Sequence, residues 1–181
     1  MAEKDSIVLG SGKLYTTEFS GTLPEIDTIA VESNRLGYIS GGATLEYKPT
    51  FYEAKDDLGY VSKTILTEEE ATLKSGILTF DGNALNKLCD TARVTEDSTK
   101  RTVKIGGAGN QKKKNYVILF HHEDAEDGDI WVLIVGKNES GFSLSFVKDK
   151  ETVIDAEFKA IPHDDKGTLI EYIEEIKTTT E

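Results

Sequence analysis

Ile154-Asp155-Ala156-Glu157-Phe158-Lys159-Ala160 places an apolar side chain at every second position, with Asp155, Glu157 and Lys159 between them. Successive side chains of a strand point to opposite faces, so this stretch predicts a half-buried β-strand with one face on a core and one in water. Phe142, Leu144 and Phe146 alternate with Ser143 and Ser145 and predict another strand of the same kind.

Upstream, Tyr116–Phe120 and Ile130–Val135 are near-continuous apolar runs, short and rich in β-branched residues. They predict strands covered on both faces, at the centre of the core. The acidic stretch Glu123–Asp129 reads as the turn between them, and Gly136–Gly141 as the next turn, giving a three-stranded antiparallel meander.

Earlier still, Ala43–Tyr52 and Tyr60–Leu66 predict a long hairpin closed by the turn Lys55–Gly59. Pro49 lacks an N–H for the ladder, so its strand is kinked there or lies at an edge. A short helix is expected after Asp81-Gly82-Asn83, where Asp81 or Asn83 can cap and Ala84, Leu85, Leu88, Cys89 and Ala92 recur at helical spacing. Thr67-Glu68-Glu69-Glu70 fits a capping box, but Gly76 and the β-favouring Ile77–Phe80 follow, which favours a strand leading into that helix. Leu169, Tyr172, Ile173 and Ile176 fit a helical stripe, and Thr168–Tyr172 equally fits a strand after the turn Pro162–Gly167. The fold class expected is mainly β with one short α-helix.

A chain of 181 residues buries roughly 70% of its unfolded surface and is expected to form one domain over residues 1–181. With 38% hydrophobic and 30% charged residues it has the material for a core and a solvated exterior. The net charge of −12 argues against adhesion to nucleic-acid backbones or anionic membranes. Met1–Asp5 has no apolar core for a signal peptide and no apolar run approaches 18 residues, so a cytoplasm-like compartment and no stable membrane association are expected.

The side chains that carry chemistry form no recognisable site. His121 and His122 are adjacent in a predicted strand and point apart, so His121-His122-Glu123-Asp124 cannot easily converge on one metal ion. His163 stands alone in a turn. Glu123–Asp129 lacks the ligand order of an EF-hand loop. Gly106-Gly107-Ala108-Gly109-Asn110-Gln111-Lys112-Lys113-Lys114 has glycines and lysines but not the Gly-Lys-Ser/Thr opening a helix that a P-loop needs. It is read as a mobile loop and assembly contact through Gly106, Gly107, Lys112, Lys113 and Lys114. The single Cys89 is read as a small core residue rather than a nucleophile, since no base is spaced to activate it. The expectation is a non-enzyme with no cofactor and no metal.

Four stretches together resemble the major tail tube proteins of long-tailed bacteriophages, a family similar in fold to bacteriocin tubes and to the type VI secretion tube. They are Gly10–Tyr15, Leu36–Leu45, Glu70–Leu78 and Lys166–Ile170. The resemblance implies a β-sandwich or half-barrel with a long hairpin, six copies per ring, and rings stacked into a tube through which DNA passes unbound during ejection. It implies a virion protein assembled in the bacterial cytoplasm, with tape measure, baseplate or tail tip, and tail terminator proteins as partners, and a sheath in contractile tails. By the same resemblance the hairpin lines the lumen with Glu46, Lys48, Glu53, Lys55, Asp56, Asp57, Lys63 and Glu68. A tube subunit of a bacteriocin or secretion system is the near alternative. A small β-barrel binding protein, which predicts an internal apolar pocket, and an unrecognised hydrolase, which predicts convergent perturbed carboxylates, are rivals of other classes.

Overall fold

The structure is a computed structural model and describes residues 10–177; Met1–Asp5, read above for targeting, lies outside them. In chain order the elements are β1 (Lys13–Glu18), α1 (Ile26–Ile29), β2 (Arg35–Gly37), β3 (Ile39–Lys55), β4 (Ser62–Ile77), α2 (Gly82–Leu88), β5 (Arg93–Glu96), β6 (Arg101–Lys104), β7 (Tyr116–His122), β8 (Ile130–Asn138), β9 (Ile154–Ala160) and β10 (Ile170–Glu174). The protein is mainly β, built on one large antiparallel sheet with few helical turns.

β7 and β8 pair through the whole run Tyr116↔Gly136 to His122↔Ile130 and form the centre of that sheet. Ile118 and Ile134 are fully buried on one face, and Val117, Leu119 and Val135 on the other. That double covering is why these two strands read as continuous apolar runs. The outer face is covered by the segment after β1, where Phe19, Leu23, Ile26 and Ile29 pack on Val117, Leu119 and Leu133. This segment contains α1, four residues long, which the sequence reading did not anticipate.

The strand order is β2-β1-β7-β8-β9-β4-β3, with β10 paired to the first half of β8. β2 and β3 stand at opposite ends of that order yet are separated in sequence by Tyr38 alone. The sheet therefore curls until its two ends meet in one continuous extended segment. Tyr38 seals the join: its N–H donates to the Thr79 hydroxyl at 2.7 Å, and its carbonyl accepts the Leu78 N–H at 2.7 Å. Leu14, Leu36, Leu73, Ile77, Ile118, Ile134, Ile154 and Phe158 fill the inside. α2 adds Ala84 and Leu88 to the same core, and Asp81 caps it by accepting the N–H groups of Asn83 and Ala84.

β9 buries Ile154, Ala156, Phe158 and Ala160 and leaves Asp155 and Lys159 exposed, as its alternation requires. The second alternating stretch behaves differently. Residues 142–146 are not a strand, because the Asn138 side chain donates to the Leu88 carbonyl at 3.1 Å and the Gly141 carbonyl at 2.7 Å and turns the chain away. Phe142 and Leu144 still lean on the core, while Phe146 is 80% exposed. The third strand of the meander is β9 instead. Gly136, expected in a turn, lies inside β8, where β9 passes so close that a Cβ would stand 1.9 Å from the Lys159 carbonyl oxygen. The undecided C-terminal segment is the strand β10, and Thr67–Glu70 belongs to β4.

Candidate functional site

β3 and β4 are 17 and 16 residues long, more than twice the length of the other strands of the sheet except β8. Only the base of the hairpin is held by the body: β9 pairs with β4 from Thr72 to Ile77 and no further. Beyond Tyr47↔Ala71 the two strands continue as a free ribbon to Lys55↔Ser62, about 30 Å at the rise of a strand. A two-stranded ribbon alone in water is marginal. Pro49 sits in β3, whose outer edge has no neighbouring strand among the described residues, a position where a missing N–H is tolerated.

Two irregularities shape the ribbon. At its base Gly41 and Gly42 are both left-handed (φ 78° and 74°) and form a bulge opposite Ser75 and Gly76; the Ser75 hydroxyl donates to the Gly42 carbonyl at 3.0 Å. Further out Thr67 is an extra residue between Thr50↔Glu68 and Phe51↔Leu66, and its hydroxyl donates to the Thr50 carbonyl at 3.1 Å.

The eight hairpin residues singled out in the sequence do not share one face. By the alternation of β3 and its cross-strand partners, Glu46, Lys48, Glu68 and Lys63 lie on one face, Glu53 and Lys55 on the other, and Asp56 and Asp57 in the turn. The first face carries a ladder of ion pairs: Lys48 to Glu46 at 2.8 Å, Lys74 to Glu46 at 3.5 Å, Lys74 to Glu157 at 3.7 Å and Lys159 to Glu70 at 3.4 Å. The hydrogen bond from Lys48 holds the Glu46 carboxyl below its ordinary range and raises the Lys48 ammonium in turn. Glu53 pairs with Lys55 at 3.0 Å on the opposite face.

Between these charges the ribbon exposes apolar side chains on both faces and at its tip. Phe51 and Tyr52 are each 59% exposed, Leu58 77%, Tyr60 83% and Val61 69%. Covering a Phe, Leu or Val side chain fully stabilises by about 1.5–3 kcal/mol, so such a patch marks an interaction surface. This is the part of the site that the charged set missed. Its signal was present in Phe51-Tyr52, where two adjacent apolar residues interrupt an otherwise alternating strand.

The residues read as an assembly loop are tied to the body. Lys112 donates to the Asn86 side-chain oxygen at 2.9 Å and to the Asn86 carbonyl, Lys113 N–H to Asp90 at 3.0 Å, and Lys114 pairs with Glu18 at 2.7 Å. The Asn110 side chain donates to the Gly106 carbonyl at 2.9 Å, and Gly106 N–H to the Thr91 hydroxyl at 3.1 Å. Gly107 is left-handed (φ 87°) before the short 3-10 turn at Ala108–Asn110. These contacts tie the loop to α2 and to the end of β1.

The three histidines lie apart from one another. His121 bonds Asp129 at 2.8 Å and stacks on Trp131, whereas His122 points the other way to the Ser11 carbonyl at 2.7 Å. The His163 side chain is buried and lies 3.4 Å from Glu171. Among the described residues no group of three or more His, Cys, Asp or Glu is placed to hold a metal ion. Cys89 is half-buried at the end of α2 rather than inside the core, and burial pushes its thiol pKa up. An open groove of about 520 Å³ lies at the hairpin base, lined by Gly41, Gly42, Thr44, Lys74 and Glu157; it is a surface cleft rather than the internal pocket a small-ligand barrel needs. Among the described residues no helix is long and apolar enough to cross a membrane.

No protein-family model and no curated protein matches the chain. The reading of the hairpin therefore rests on its own geometry.

Proposed function

We propose that the chain is a self-assembling structural subunit whose copies close into hexameric rings and stack into a tube, as in a phage tail, with the rolled sheet as a tail-tube-like half-barrel. The observation that carries this reading is the hairpin. A ribbon of about 30 Å with open edges and exposed aromatics on both faces is stabilised when neighbouring copies pair with its edges and cover its faces.

A ring built this way uses a heterologous contact, one surface of each copy against a different surface of the next, and closure removes the free edges. The face bearing Glu46, Lys48, Glu68 and Lys63 is the one suited to a water-filled lumen, because it carries more of the ribbon's charges than the face with Glu53, Lys55 and Glu69, and at its base Lys48 and Lys74 pair with Glu46 and Lys159 pairs with Glu70. Such a wall gives passing DNA little to bind, since Glu46, Glu68 and Glu70 outnumber Lys48 and Lys63 on this face of the ribbon and affinity for the phosphate backbone comes from cations. The opposite face, with Phe51 and Leu66, is suited to contact the adjacent copy. A bacteriocin or secretion tube would use the same contacts without DNA.

Negative-stain microscopy of the purified chain tests the reading. Rings or tubes are expected, and proline at Thr50 and Ile65 should abolish them while leaving a folded monomer. Intact tubes from that variant would remove the hairpin from the account.

A further inference from the structure

Charge is distributed unevenly along the strands. From the Asp81 cap to Lys114, eight Lys or Arg residues stand against four Asp or Glu, a net charge of +4 within a chain of −12, which leaves −16 on the rest. This stretch is one physical unit made of α2, the β5–β6 hairpin and the loop into β7. Arg101 joins Asp81 at 2.5 Å and Lys112 joins Asn86 at 2.9 Å. It stands at one end of the sheet, where β7 begins, where β1 ends at Glu18, and where Asn138 at the end of β8 reaches the Leu88 carbonyl.

The other end of the same strands is acidic. The β7–β8 turn from 123 to 129 contributes five carboxylates and the end of β10 two more, Glu174 and Glu175, against Lys13 and Lys177 as the cations beside them. Read through the antiparallel registers, the β3–β4 hairpin leaves the body toward this end as well. Seven residues of β7 separate the two poles, about 24 Å of strand against a screening length of about 8 Å in physiological salt. The poles therefore do not neutralise each other within one copy.

The basic unit holds an unrelieved repulsion. Arg93 and Lys104 are directly opposite in the β5–β6 ladder, both exposed, and neither has an acidic partner among the described residues. Like charges in that position are destabilising. Lys100 and Lys113 are likewise exposed without an acidic partner for their ammonium groups, and Lys113 is the one described non-glycine residue in the left-handed region (φ 55°). An anionic surface laid over Arg93, Lys104 and Lys113 would convert this repulsion into attraction.

We infer that this basic unit is a docking surface for a second copy of the chain, and that the occupant is that copy's acidic β7–β8 turn with the end of its β10. The inference rests on the assembly reading above and names the two surfaces that stack one layer on the next. Nucleic acid is the other polyanion of suitable charge, but the −16 outside the basic unit repels it. The acidic pole, by contrast, is supplied by each copy in a repeating head-to-tail geometry that propagates.

The test uses two charge-reversed full-length proteins. One carries Arg93→Glu, Lys104→Glu and Lys113→Glu, the other Glu126→Lys and Glu174→Lys, all at exposed positions, with circular dichroism melting to verify the fold. Sedimentation velocity in 0.15 M salt is run on each alone and on a 1:1 mixture. Each alone should need at least about ten-fold more protein for half-assembly, equivalent to about 1.4 kcal/mol. The mixture should return to within about two-fold of the parent, because in alternating order the reversed head of one variant meets the reversed tail of the other, and the native head of the second meets the native tail of the first, each pair opposite in sign. Parent-like assembly of either variant, or a mixture that stays unassembled, overturns the inference. So does a parent that binds a short DNA duplex through these lysines while the reversed variant assembles normally. A parent that never associates overturns the assembly reading itself, a result distinct from the others.

Discussion

Phe51 pairs with Leu66 across the projecting ribbon, just beyond the extra residue Thr67, and Tyr52 pairs with Ile65 on the other face at the next step. Apolar side chains thus emerge from both faces at one level, and Phe51 and Tyr52 stay exposed among the described residues. Replacing Phe51 and Leu66 together by Asp removes the apolar face without touching the core. Thermal stability should stay within about 0.5 kcal/mol of the parent, while self-association measured by light scattering is lost. Undiminished association would show that the ribbon is not the contact.

Gly136 is required by the crossing of β9 over β8. A Cβ there would meet the Lys159 carbonyl at 1.9 Å, so Gly136→Ala forces the two backbones apart. Overpacking of this kind costs about 3 kcal/mol or more, which lowers Tm by roughly 10 °C for a chain of this size. A melt unchanged from the parent would contradict the described register of β8 and β9.

Several turns are held by aspartates that accept backbone or hydroxyl hydrogen bonds. Backbone N–H groups of Asp127 and Glu126 hold the Asp124 carboxyl below its ordinary range, those of Thr99 and Lys100 with the Thr99 hydroxyl do so for Asp97, and the Thr168 hydroxyl and N–H do so for Asp164. Groups with depressed native pKa values contribute stability that is whole above their unfolded value of about 3.9 and is lost as pH falls through the native value. Urea unfolding should show little change between pH 7 and 5 from these groups and a steep fall below pH 4. Asp124→Asn with Asp164→Asn should be less stable than the parent at pH 7 and lose less on acidification. An equal acid-dependent loss in the double variant would contradict the assignment.

Cys89 is a further check on the end of α2. Burial raises its thiol pKa, with the nearby Lys112 charge opposing, so little thiolate is present near neutrality. Alkylation at pH 7.5 should be slower than that of a free cysteine, and Cys89→Ser should leave assembly unchanged. Rapid alkylation would place the thiol in a different setting.

What the sequence made legible follows local physics. β7, β8 and β9 were readable because burial on one or both faces fixes the side-chain period, and the Asp81 cap because its chemistry is local. Phe142–Phe146 has the same period as β9, yet Asn138 diverts the chain by bonds to Leu88 and Gly141, a tertiary event that periodicity does not encode. The closure of the sheet through Tyr38 is likewise a long-range relationship. In the hairpin, the turn was legible but the length was not, because β3 alternates only up to the Phe51-Tyr52 break and residues 62–70 of β4, exposed on both faces, carry no alternation to mark a strand. The division of Glu46 and Lys48 from Glu53 and Lys55 follows directly from strand parity once β3 is known to be unbroken through Lys55.

Native mass spectrometry of the purified chain across a concentration series reads ring formation without an intermediary. Species are expected at six times the 19.9 kDa of one chain and at multiples of that mass, growing with concentration. A single species at the mass of one chain over the whole series would contradict ring formation.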